Sequence, residues 1–121
     1  MRSPNKSLFD IADAASSLIE STKGMDRAAY DANIVLQGFV IQRLTIIGEA
    51  SKNLPKAWRD QHPSIPWQRI GRLRDKLIHH YFDVDHDTLW EILTLEVPEL
   101  LAYVQPFVTS LLTDSEEDRA K

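Results

Sequence analysis

The chain contains no cysteine. No disulfide framework and no thiolate metal site is therefore available to it, which fits a reducing compartment. No apolar run approaches the roughly 20 residues that a membrane-spanning helix needs. The opening stretch MRSPNKSLFDIADAASS lacks the apolar core of a signal peptide and carries Asp10 and Asp13. These features predict a cytoplasmic protein without a membrane anchor. Several chemical signatures are missing as well. No G-x-x-x-x-G-K-[ST] or G-x-G-x-x-G loop occurs, no G-x-S-x-G elbow, and no H-E-x-x-H or H-x3-H pair. His79 and His80 are adjacent and point apart on a helix, and His62 and His86 stand elsewhere in loops. Neither a metal nor a cofactor is expected. Strand-like alternation, internal repeats and low-complexity segments are absent too.

What remains is helical periodicity. With 121 residues, 43% of them apolar, the chain suits one all-α domain over residues 1–113, followed by a polar acidic tail at 114–121. A first helix is predicted from about Asn5 to Ser21, capped by Ser3 or Asn5 and carrying Leu8, Ile11, Ala15, Leu18 and Ile19 on one face. Thr22-Lys23-Gly24 breaks it, and a short turn of helix is expected from Asp26 to Tyr30. A long helix from about Asp31 to Asn53 follows, with one stripe at Leu36, Val40, Leu44 and Ile47 and another at Val35, Phe39 and Ile46. A helix apolar on two sides needs two partners, its own core and a second surface. A second copy of the chain would supply the latter. After a short helical piece in KAWRDQH, Pro66 suits the first turn of a helix from Trp67 to about His80. Gly71 within it marks close packing or a kink. Asp85 or Asp87 caps a helix over Thr88–Glu96, and a last helix carrying Pro98 ends near Leu112. The architecture expected is an up-and-down bundle of four or five helices.

Charge is unevenly placed. The net charge is −4, which argues against nonspecific nucleic-acid binding. Yet Arg69, Arg72, Arg74 and Lys76 face a single Asp75 within the stretch Trp67–Phe82. Any anionic ligand belongs there, although on charge alone a solvated basic helix face is the better reading. On a helical wheel Arg72, Asp75, Lys76 and His79 share one side, and Arg74, Ile78 and Tyr81 another. Asp75 precedes His79 by four residues, the spacing at which a carboxylate orients an imidazole and raises its pKa. Arg74 suits bidentate phosphate binding, His79 proton transfer, and Tyr81 stacking or hydroxyl donation. Arg74 and His79 nevertheless diverge by about 140° on a regular helix. Meeting at one ligand requires the helix to loosen, the arginine to bridge the gap, or a two-fold dimer to join two such helices. Glu49, in IIGEAS, is a lone acid in an apolar helix and reads as a hydrogen-bonding residue that also has access to the cleft. Trp67 and Trp90 read as core.

The pattern Arg74-x4-His79-x-Tyr81 resembles the R-x4-6-H-x-Y motif of HEPN domains (higher eukaryotes and prokaryotes nucleotide-binding). The order IIGEASKNLP, HPSIPWQRIGRLRDKLIHHYFDVD, TLWEIL and VPELL resembles the HepT branch over roughly residues 8 to 110. The resemblance implies an all-helical homodimer whose motif helices line a shared cleft. It also implies a metal-independent endoribonuclease acting as the toxin of a type VII-like toxin–antitoxin pair. The antitoxin would be a minimal nucleotidyltransferase (MNT) that silences the toxin by transferring AMP to the motif tyrosine. On this pattern Arg74, His79 and Tyr81 are catalytic, Asp75, His80 and Arg72 support them, and Tyr81 is the AMPylation target. The alternative is a non-catalytic subunit that binds nucleotide or substrate for its nucleotidyltransferase. A third reading is a helical interaction scaffold.

Overall fold

A computed structural model describes the backbone of residues 3–120 and the side chains of residues 3–113. Among these residues the protein is all-α, with no strand. Helix α1 spans Asn5–Thr22. It follows Pro4 without a side-chain cap, and Ser3 Oγ accepts the Asn5 N–H. Its end gives way to Gly24, which takes a left-handed φ of 73° that a residue with a Cβ adopts only at a cost.

The short helical turn expected at Asp26–Tyr30 and the long helix expected to follow it are both present, the long one starting three residues later than Asp31. Helix α2 covers Arg27–Asp31 and α3 covers Ile34–Asn53. Two caps set these starts. Asp26 accepts the Ala29 N–H, and Asn33 accepts the Leu36 N–H, each competing with helix continuation as short polar side chains do. Helix α4 is Lys56–Gln61 and α5 is Trp67–His79. Residues Tyr81–Asp83 form one 3₁₀ turn. Asp85 then caps α6, His86–Glu91, by accepting the Asp87 and Thr88 amides.

A π turn at Ile92–Glu96 joins α6 to α7, Val97–Ala120. It lies directly before Pro98, which has no N–H to give and whose ring would press on the preceding turn of a regular helix. The Val97 amide bonds to Ile92, five residues back. Helix α7 continues past the expected end at Leu112. The tail expected over 114–121 lies outside the described side chains, and its backbone is helical to Ala120.

Helix α1 packs on α3 and α7, and α3 packs on α5. Leu8, Ile11, Ala15 and Leu18 of α1 meet Val40, Leu44 and Ile47 of α3 and Leu100, Val104 and Val108 of α7 in one buried cluster. The second stripe of α3 stays outside it. Val35 is 80% exposed, and Phe39 and Ile46 are only partly buried. No helix is long and apolar enough to cross a membrane among the described residues.

Candidate active site

The crossing of α3 and α5 is set by two glycines. A Cβ on Gly48 would stand 2.2 Å from Arg74 Cβ, and one on Gly71 would stand 2.9 Å from Lys52 Cγ. Gly71 therefore serves close packing, and α5 runs through it unbroken. With the helices this near, the side chains beside the glycines reach across. Arg74 Nη2 contacts Glu49 Oε2 at 2.8 Å, and its Nη1 donates to Asp75 Oδ1 at 3.0 Å. Lys52 Nζ donates to both oxygens of Asp75 at 2.8 and 3.1 Å. Two cations and two carboxylates thus form a linear chain, Glu49–Arg74–Asp75–Lys52. Arg74 is the least exposed of the four, at 27%, and its Nε is buried without a partner among the described residues. The Lys52 ammonium, and then the Arg74 guanidinium, hold the Asp75 carboxyl below its usual range.

This geometry changes two expectations. Asp75 does not orient His79, because both of its oxygens are already occupied by Lys52 and Arg74. Nor does Tyr81 lie on the helix with Arg74 and Ile78. Helix α5 ends at His79, His80 adopts φ −127° and ψ 39°, and Tyr81 begins the 3₁₀ turn. The change of helix type after His79 re-aims the chain between the two halves of the motif, so the wheel no longer governs Tyr81.

His79 and His80 are exposed at the end of α5. Tyr81 is 51% exposed, its ring meeting that of the almost wholly exposed Phe82 edge-on. Arg72 and Lys76, about two turns and one turn before the end of α5, make no ion pair among the described residues. They border a cavity of about 400 Å³ between α5 and the α6–α7 helix, floored by Leu44, Ile47, Leu73 and Leu100. Arg69, on the same border, pairs with Glu96. Trp67 is buried and donates its indole N–H to the His62 carbonyl. Trp90 packs against Tyr30.

Sequence reasoning missed Lys52 entirely. Its signal was present: a lysine four residues after Gly48, on a helix whose neighbour carries an acid and a glycine, is placed to reach across.

An all-helical domain that presents Arg, His and Tyr around the end of one helix, with a cationic border beside them, defines a candidate phosphate-handling protein. The comparisons with known proteins give it a family. The Ribonuclease HepT-like family model matches residues 11–107. A protein of Caldanaerobacter subterraneus subsp. tengcongensis named "Putative RNase TTE0752" is 42% identical over 100 residues, 83% of this chain and 89% of that one. The "Probable ribonuclease HepT" of Thermococcus cleftensis is 42% identical over 99 residues, 82% and 90% of the two chains. No solved structure matches the chain. The protein belongs to the HepT-like ribonuclease family, within the HEPN domains.

Proposed function

We propose that the protein is a metal-independent endoribonuclease that acts as a dimer and serves as the toxin of a toxin–antitoxin pair. The observation that carries the reading is the state of the motif's side chains. Arg74 is held across the α3–α5 crossing by Glu49 and Asp75, while His79 and Tyr81 stand exposed at and just beyond the end of the same helix. A directed cation and accessible proton-transfer groups are what cleavage by the RNA's own 2′-hydroxyl requires. His79 exchanges the proton, Arg74 stabilises the charge growing on phosphate, and Tyr81 orients the phosphate or a base. The product carries a 2′,3′-cyclic phosphate.

A second copy of the chain reconciles Arg74 with His79. Ile34 and Val35 at the start of α3, and Ile78, Tyr81 and Phe82 around the end of α5, are large apolar side chains left exposed. Covering them in a two-fold dimer brings two motif ends to one cleft. Tyr81 is accessible enough to accept AMP from a nucleotidyltransferase antitoxin. The adduct would add bulk and negative charge beside Arg74 and exclude RNA.

The test is incubation of the purified, unmodified protein with labelled RNA in excess EDTA, beside His79→Ala. Cleavage by the wild type alone, leaving cyclic phosphate ends, is expected. His79 is exposed and unbonded, so its loss leaves the fold intact. Cleavage by His79→Ala at the wild-type rate would overturn the assignment. An intact protein that binds RNA without cutting it would favour the binding-subunit reading.

A further inference from the structure

We propose that Glu49 is a positioning residue for Arg74, and that its carboxylate is the anion an incoming phosphate displaces from that guanidinium. The proposal rests on the ribonuclease reading for its substrate and on the α3–α5 crossing for its geometry. Glu49 directly follows Gly48, and Gly48 lets α3 approach until it touches the Arg74 side chain. The carboxylate then meets Arg74 Nη2 at 2.8 Å, while Asp75 takes Nη1 at 3.0 Å. Both outer nitrogens of the guanidinium are occupied within the protein itself.

The charges of the four-residue chain cancel. Glu49 and Asp75 offset Arg74 and Lys52, so phosphate approaching this cluster meets no net attraction from it. The two carboxylates are not equivalent. Asp75 is tied by Lys52 as well as by Arg74. Glu49 has Arg74 as its only ion-pair partner among the described residues, and its side chain is 50% exposed. Glu49 is therefore the weaker hold and the one on the solvent side. When phosphate takes Nη2, Asp75 and Lys52 keep the guanidinium plane in place. Glu49 thus serves two ends: it pre-orients Arg74 in the free protein, and it sets a threshold that only a well-placed anion passes. A plain tie between two helices would do neither, and a half-exposed pair contributes little to stability.

Glu49→Gln separates these roles, since it keeps the side chain's shape and removes its charge. The first readout needs no RNA. The Arg74 Nε–H resonance is followed by NMR while inorganic phosphate is added to the full-length protein. The expected result is that phosphate shifts this resonance in both proteins, with affinity about fivefold higher in Glu49→Gln, the scale set by one partly exposed ion pair. The second readout is steady-state RNA cleavage, where KM falls by a similar factor while kcat stays within about twofold, because Asp75 and Lys52 already hold the guanidinium once phosphate has displaced Glu49. A guanidinium resonance indifferent to phosphate, or equal phosphate affinity in the two proteins, would overturn the proposal. So would a variant whose KM matches the wild type. A wild type that cuts no RNA, yet shows the phosphate response and its fivefold gain, would sink the ribonuclease reading and leave the displacement standing.

Discussion

The Tyr30 hydroxyl lies 2.8 Å from Nδ1 of His86, joining residues 56 apart in the chain. Tyr30 is completely buried in α2, and His86 opens α6 just after the motif turn. Arg27, one turn before Tyr30, reaches Asp87 as well as Asp31. The short helix α2 thereby anchors the far side of the loop that carries Tyr81.

Removal of that anchor has a measurable cost. Tyr30→Phe keeps the ring and leaves His86 without its partner. A loss of about 1 kcal/mol is expected in urea unfolding at neutral pH. Burial pushes the Tyr30 phenol above its ordinary value. A folded-state pKa above the unfolded one means full stability below about pH 10, lost as pH rises through the folded value. Tyr30→Phe should therefore flatten the alkaline limb of the stability profile.

Asp85 offers the opposite sign. The Thr88 hydroxyl, and then the Thr88 amide, hold its carboxyl below the usual range. Such a group contributes above the unfolded carboxylate pKa of about 4 and loses its contribution as pH falls through the lower folded value. Asp85→Ala should lower stability at pH 7 by removing the cap of α6. Urea titrations at pH 7 and pH 3 should show the gap between the two proteins narrowing in acid.

The glycines of α3 should separate cleanly. Gly48→Ala forces a Cβ into Arg74, and about 1–3 kcal/mol of destabilisation follows from such overpacking. Gly38 has nothing within 4 Å of the same added atom. Gly38→Ala should gain about 0.5–1 kcal/mol through helix propensity. Thermal melts of both variants decide it, and RNA cleavage should fall only in Gly48→Ala.

Arg74→Lys tests the fork between the two carboxylates. One ammonium cannot reproduce two directed contacts with Glu49 and Asp75. Cleavage is expected to fall at least tenfold, measured as kcat/KM, while circular dichroism remains that of the wild type.

Val35→Glu tests the exposed face of α3. Val35 is 80% exposed in the single chain, so the substitution should leave a folded protein. On the proposed two-fold assembly, light scattering after gel filtration should show a dimeric wild type and a monomeric variant, with cleavage lost in the variant.

Most of the helices were legible in the sequence because their apolar spacing is regular. Leu8, Ile11, Ala15 and Leu18 reach the core as that spacing requires. The start of α3 at Ile34 rather than Asp31 was not, because Asn33 acts as a cap by turning its side chain onto the Leu36 amide, a choice that composition does not reveal. Arg74, His79 and Tyr81 could be singled out from residue type and order. The engagement of Asp75 by Lys52 could not, since it depends on how closely two helices cross 23 residues apart in sequence. The wheel that grouped Tyr81 with Arg74 assumed one uninterrupted helix, and the 3₁₀ turn at Tyr81–Asp83 removes that assumption.

The π turn at Ile92–Glu96 also bears on how α6 and α7 together face the core. One extra residue in a hydrogen-bonded ring shifts the angular phase of everything beyond it. Leu89 before the turn, Leu93 within it, and Val97, Leu100 and Val104 after it are all buried. The turn works as a phase joint: a single rod keeps its apolar side on the core to either side of the step that Pro98 imposes.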